Sequence, residues 1–427
     1  MFQKTTLKNG LRLITANIEG TEAITALVLF KVGSRYETKS ENGISHFIEH
    51  MMFKGTKKRP NTLALSKDLD RVGAEYNAFT SRDYTGYYVK VDAEKLELAL
   101  DVLSDMLLNS KFEEGELEKE KGVISEEIRM YEDNPMMFID DLFEENLFGS
   151  DHPLGRSIAG TVKGINGFSR KKMIDYREKY YTPNNTVLVL TGNLKNKKIN
   201  ELTEKYFGEN GKKAKPVFEK FVYPEKNNHP KIKIKNKETE QIQLALGFPA
   251  YSYFDPQVYA LNLLSVILGG NMSSRLFISI REKRGLCYFI RSYSNVYEDA
   301  GNVVIQAGLD KTRIMPAIKA ILEELQKVKK FGVKEEELKR AKDCIKGRLI
   351  LSLEDSSSVA DWYAKQELLM KEVLTPEEKL KKIFSVSGDD IKKVANDIFL
   401  GEKLNLAIIG PVNEEEFIKK INLNSFL

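Results

Sequence analysis

Four histidines occur in this 427-residue chain, and two of them, His46 and His50, stand four residues apart with Glu49 beside them. At about 100° per residue on a helix, His46, Glu49, His50 and Phe53 share one face. Ile44, Phe47, Ile48, Met51 and Met52 fill the other directions. A helix that is apolar elsewhere thus presents two imidazoles and a carboxylate together. Imidazoles at i and i+4 bring their ring nitrogens close enough to share one tetrahedral Zn²⁺. Glu49 can then approach a water held by the metal without ligating the metal itself. The bare spacing also suits histidines that make ordinary hydrogen bonds, so a third ligand has to be found.

That ligand should be a carboxylate or imidazole on an apolar face. A second helix is read over Glu113 to Tyr131, where Leu117, Val123, Ile124, Ile128, Met130 and Tyr131 define its apolar sector. Glu120 and Glu127 fall inside this sector, seven residues apart. Glu126 falls with Lys119, Arg129 and Asp133 on the polar side. A carboxylate among apolar residues is costly unless it meets a cation. This selects Glu127 as the third ligand over its neighbour Glu126. Glu120 becomes a carboxylate that orients a ligand histidine from behind. Three protein ligands leave the fourth zinc position to water, which is the arrangement of a catalytic site.

The elements around these helices alternate in type. Strand signals at residues 2–17, with a turn at Lys8-Asn9-Gly10, and at 21–32 precede helices over 42–53 and 61–72. Two strands follow over 74–80 and 83–91, then amphipathic helices over 93–108 and 113–131, a helix over 169–181 and a buried strand over 185–191. Gly208, Gly211, Pro216, Pro224 and Pro230 among lysines mark a linker over 211–230. The order strand, strand, helix, helix, strand, strand, long helices, strand then repeats. The reading is an α+β protein of two homologous domains, 1–210 and 231–427, each a mostly antiparallel sheet flanked by helices.

Composition bounds the rest. Hydrophobic residues make up 42% and charged residues 30%, which is ordinary for a globular protein. A net charge of +4 leaves no footprint for nucleic acid. No apolar run reaches a membrane span, and no apolar segment follows Met1, so a cytoplasmic location is expected. Cys287 and Cys344 form no disulfide framework.

The run Gly43-Ile44-Ser45-His46-Phe47-Ile48-Glu49-His50-Met51-Met52-Phe53-Lys54-Gly55-Thr56 is the inverted zincin pattern. It resembles the signature of the pitrilysin and insulinase zinc peptidases, most closely the mitochondrial processing peptidase β-subunit and its bacterial relatives. Asn77-Ala78-Phe79-Thr80-Ser81-Arg82 resembles the family's active-site edge strand. His152-Pro153-Leu154-Gly155-Arg156 and the stretch from Ser274 to Tyr288 resemble further shared segments. The resemblance implies one Zn²⁺ per chain, held by His46, His50 and Glu127, with Glu49 as general base toward the zinc-bound water. It implies that Arg281 and Tyr288 contact substrate near the scissile bond. Substrate would lie extended along Asn77, Ala78, Phe79 and Thr80. It also implies that this chain is half of a clamshell. A homodimer, or a heterodimer with a homologous chain, would then close a chamber that admits peptides and unfolded segments. The expected activity is that of a zinc endopeptidase. The alternatives are a non-catalytic peptide-binding clamshell or scaffold subunit, and a zinc hydrolase of non-peptide substrates.

Overall fold

The computed structural model of the chain describes residues 2–195, 197–209, 217–218, 220–221 and 231–421. The linker expected at 211–230, with His229, lies almost wholly outside the described residues. The chain divides into two compact units. Unit 1 comprises Met1–Arg129, Ser157–Glu219 and Leu349–Thr375; unit 2 comprises Met130–Arg156, Lys220–Arg348 and Pro376–Leu427.

Unit 1 is built on a six-stranded sheet of β1 (Phe2–Thr6), β2 (Arg12–Asn17), β3 (Ala23–Phe30), β4 (Glu75–Thr80), β5 (Thr85–Asp92) and β6 (Thr186–Gly192). Its spatial order is β1-β2-β6-β3-β5-β4, antiparallel except for the β2–β6 pair. Among the described residues β4 is therefore an edge strand, paired with β5 alone, with Asn77 opposite Tyr88 and Thr80 opposite Thr85. β3 is apolar at every position but Thr25 and is almost continuously buried. A strand of that kind needs cover on both faces. On one face Ile24, Ala26, Val28 and Phe30 join a core with helices α1 (Ile44–Met51), α2 (Thr62–Asp70), α3 (Leu96–Leu108) and α4 (Glu114–Asp133). On the other face lies the helix Ser356–Leu369. Its Ser356 Oγ hydrogen-bonds Thr25 Oγ1 at 2.8 Å, its Ser356 carbonyl accepts from Thr191 at 2.7 Å, and its Glu367 carbonyl accepts from Arg12 at 3.0 Å.

Unit 2 carries a five-stranded sheet of β7 (Lys231–Asn236), β8 (Ile242–Ala250), β9 (Cys287–Val296), β10 (Gly301–Leu309) and β11 (Asn405–Gly410), in the order β7-β11-β8-β10-β9. One face meets the helices Val258–Gly269, Ile314–Phe331 and Gly388–Ile398. The other meets helix α5 (Pro135–Phe148), whose Ile139, Leu142 and Phe143 pack on Ala245, Val304, Ala407 and Ile409. Asn134 caps α5 by accepting from Met136 N, with Pro135 in its first turn.

Two features depart from chain order. Residues 130–156 lie in unit 2 and residues 349–375 in unit 1, so each sheet is covered on one face by a helix from the opposite half of the sequence. The helix α5 had no counterpart in the sequence reading, although Asn134-Pro135 and Gly149 bracket it. The turn of helix before β9 is π-helical, over Phe277–Glu282. The helix that carries His46 and His50 spans only Ile44–Met51, because Gly43 turns the chain with φ 95° just before it.

Candidate metal centre

α1 buries Ile44, Phe47, Ile48 and Met51 completely, while His46, Glu49 and His50 are half-buried along one side. α4 supplies the opposite wall. Leu117, Ile124 and Ile128 anchor it to the core, and Glu120 is only 4% exposed. Glu127 is half-buried, whereas Glu126 is exposed and ion-paired with Arg129. Val123 and Met130, placed in the apolar sector by the wheel, are in fact exposed, at 53% and 55%. The buried stripe is instead Leu117, Glu120, Lys121, Ile124, Ser125 and Ile128.

Among the described residues, His46, His50 and Glu127 form the group that could hold a metal ion, with their ligand atoms within 4.8 Å of one another. Glu127 Oε2 lies 3.7 Å from His46 Nε2 and 3.4 Å from His50 Nε2. A tetrahedral zinc with bonds of about 2.0–2.1 Å holds its ligand atoms roughly 3.3 Å apart, so this set fits the ion. His50 Nδ1 is turned the other way, 2.8 Å from Glu120 Oε1. That contact fixes the ring and leaves Nε2 for the metal. The second oxygen of Glu120 takes Lys54 Nζ at 2.6 Å. Lys54 stands inside the signature run, but nothing in the sequence pattern pointed to this role.

The electrostatics follow the same contacts. Burial alone would lower His50, but the carboxylates of Glu120 and Glu127 prevail and hold it up at about 9. Burial and the neighbouring His50 push His46 down to about 4. Burial works to raise Glu120, yet its bonds to His50 and Lys54 keep it below the usual carboxylate range. To hold a cation here His50 would give up its proton, since ligand imidazoles must be neutral.

Glu49 stands apart from this set. Its Oε2 accepts a hydrogen bond of 2.5 Å from Thr80 Oγ1 at the end of the edge strand β4. Burial pushes its carboxyl above the ordinary value, against the Thr80 bond and the charge of His50. Along β4, Ala78 packs on the core side with α1, while the Phe79 ring crosses to the opposite face over Gly86, where any Cβ would meet it at 2.3 Å. Asn77 is exposed.

Arg281 and Tyr288 belong to unit 2. The Arg281 guanidinium lies 4.7 Å from the Phe277 ring and 5.8 Å from the Tyr288 ring, and Tyr288 is 71% exposed. Arg281 sits in the π-helical stretch, a backbone form that is rare and concentrated at functional sites. His152 is a local cap: its ring accepts from Leu154 N and packs on Phe221.

Residues 12–162 match the family model described as Insulinase (Peptidase family M16), and residues 167–344 match the one described as Peptidase M16 inactive domain. An uncharacterized zinc protease of Bacillus subtilis is 38% identical over 412 residues, spanning 96% of this chain and 98% of that protein. This chain belongs to the insulinase family, M16. An uncharacterized zinc protease of Streptomyces coelicolor is 35% identical and spans 97% and 90% of the two chains. A solved structure of a protease from Helicobacter pylori superposes on this M16 chain with a TM-score of 0.91 at 26% identity, covering 96% and 99%. A chain of complex III2 from Candida albicans shares the fold, with a TM-score of 0.84 at 18% identity and coverage of 99% and 98%. His46, Glu49, His50, Glu120 and Glu127 all fall in the Insulinase match, and Arg281 and Tyr288 fall in the one described as inactive. No described helix is long and apolar enough to cross a membrane.

Proposed function

We propose that this chain is a zinc endopeptidase that cleaves peptides or unfolded segments held against β4. The observation that carries this reading is a carboxylate outside the candidate ligand group, Glu49, set between His46, His50 and Glu127 on one side and the edge strand of a sheet on the other. Zinc, when bound, supplies a Lewis acid that polarises the scissile carbonyl and lowers the pKa of a water. The remaining steps belong to side chains of this chain. An extended peptide adds to the unpaired edge of β4 through main-chain hydrogen bonds, which favours loose sequence preference. Glu49 takes the proton of the attacking water and returns it to the leaving amine. Its raised proton affinity suits both halves of that transfer. Glu120 and Lys54 keep His50 oriented throughout.

In this reading Arg281 holds a substrate carbonyl and Tyr288 donates to the developing oxyanion. The exposure of Tyr288 and the π-helical setting of Arg281 support a role at a binding surface. In this reading a second copy of the chain, or a homologous chain, completes a closed chamber in the cytoplasm. One zinc ion per chain is required. The test is hydrolysis of a quenched fluorogenic peptide mixture by the purified chain, with chelator and with zinc restored, beside the Glu49→Gln variant. Cleavage abolished by chelator, rescued by zinc and lost in the variant is the expected result. Undiminished turnover by Glu49→Gln would overturn the mechanism.

A further inference from the structure

The N-terminus of α1 is capped from a distance. Gly43, its N-cap residue, has no side chain to offer, and a Cβ there would stand 2.7 Å from the Ala159 carbonyl. The first amide groups of the helix are met by Glu37 instead. Its Oε2 accepts from Gly43 N at 2.8 Å, and its Oε1 accepts from Ser45 N at 2.9 Å. Asn42 Nδ2 adds a third bond at 3.2 Å, and Glu37 is 2% exposed. A carboxylate at this end of a helix also complements its dipole.

The segment that carries Glu37 is itself fastened to the end of β4. Ser34 N donates to the Ser81 carbonyl at 3.2 Å and Arg35 N to the Arg82 carbonyl at 2.9 Å. Gly33 packs so closely there that a Cβ would sit 2.2 Å from the Ser81 oxygen. One carboxylate thus ties the start of the metal-bearing helix to backbone held against the two residues after Thr80. Thr80 in turn bonds Glu49, one turn along the same helix. α1 has only eight residues, so its N-terminal anchor lies within one turn of His46.

We infer that Glu37 is a positioning residue of the metal centre. By clamping the first turn of α1 to the end of the edge strand, it sets the placement of His46 against His50 and Glu127, and of Glu49 against Thr80. The inference rests on the zinc reading above but concerns a residue that touches neither metal nor substrate.

The test is zinc affinity, measured by competition between the purified full chain and a chromophoric chelator. In Glu37→Gln the shape is kept, but the amide nitrogen must face one of the two backbone N–H groups as donor against donor. The expected result is a zinc dissociation constant raised by about 10-fold or more. Glu144→Gln in unit 2, which removes a buried carboxylate bonded to Tyr297 and Asn302, separates positioning from general loss of stability. It should leave zinc affinity within about twofold of the parent. If Glu37→Gln fails to fold, Asn42→Asp puts a like charge beside Glu37 at a half-buried site and should weaken zinc several-fold. Parental zinc affinity in the folded Glu37→Gln variant, or in Asn42→Asp when it alone folds, would overturn the inference. Equal weakening by Glu144→Gln would also overturn it. A parent chain that takes up no zinc would refute the zinc reading on which it rests.

Discussion

Replacing Thr80 by Val removes the hydroxyl that bonds Glu49 at 2.5 Å and keeps the shape of a β-branched strand residue. The bond favours the ionised carboxylate, so its loss raises the proton affinity of Glu49 further above the ordinary value. A hydrogen bond to a charged group contributes about 1.5–3 kcal/mol, and one to a neutral group about 0.5–1.5 kcal/mol. The difference, about 1–1.5 kcal/mol, corresponds to roughly one pH unit. The acidic limb of kcat against pH, where Glu49 must be ionised to act as base, should therefore move up by about one unit in Thr80→Val. Thr80→Ser, which keeps the hydroxyl, should retain the parental limb. The assay is steady-state hydrolysis of a fluorogenic peptide across pH 5 to 9 at saturating zinc. An acidic limb of Thr80→Val that coincides with the parent's would refute the assignment of Glu49 as the base tuned by the edge strand.

Glu120→Gln should raise the zinc dissociation constant about 10- to 100-fold, equivalent to about 1.4–2.7 kcal/mol. Lys54→Met should have a smaller effect, and the double variant should lose less than the sum, because both act on one carboxylate; strict additivity in the competition titration would argue against that coupling. In unit 2, the Arg275 guanidinium bonds both oxygens of Glu337, at 2.8 and 2.7 Å, and holds its carboxyl below the usual range. The stability this pair contributes is present above the unfolded carboxyl value of about 4.3 and is lost as pH falls through the lower folded value. Glu337→Gln should thus melt a few degrees below the parent at pH 7, with the two curves converging in acid. A gap that persists undiminished at pH 2 would refute the linkage.

Much of the centre could be read from side-chain periodicity, because burial on a helix obeys it. The choice of Glu127 over Glu126 needed only the apolar sector of one helix, and in the structure Glu126 points to Arg129 and solvent. The same wheel misplaced Val123 and Met130, since an apolar residue at the margin of a sector carries no information about where the neighbouring helix stops. Glu120 stood out because a carboxylate in an apolar stripe must find a cation. Lys54, which shares it, is an ordinary lysine in sequence. The edge position of β4 came through family resemblance, because strand order is set by pairing between distant segments and leaves no local trace. Glu37 was invisible for a similar reason: it caps a helix that begins seven residues later, outside the local positions of a capping box. The helices at 135–148 and 356–369 can be recognised as helices by their caps, but which sheet each one covers is decided by packing alone.

The reciprocal placement of those two helices has a bearing on how the chain is made. The last strand of the unit 1 sheet ends at Gly192, yet the helix that covers the second face of that sheet ends at Leu369. At about 5–20 residues per second, ribosomes take roughly 9–35 s to span that interval. Throughout it Leu27, Leu29, Val187 and Val189, which are buried in the finished protein, wait for their partner helix. The half of the polypeptide that carries His46, His50 and Glu127 therefore leaves one apolar face of its sheet uncovered until residues 356–369 have been made, and a chain truncated after the first half is expected to be a sticky fragment.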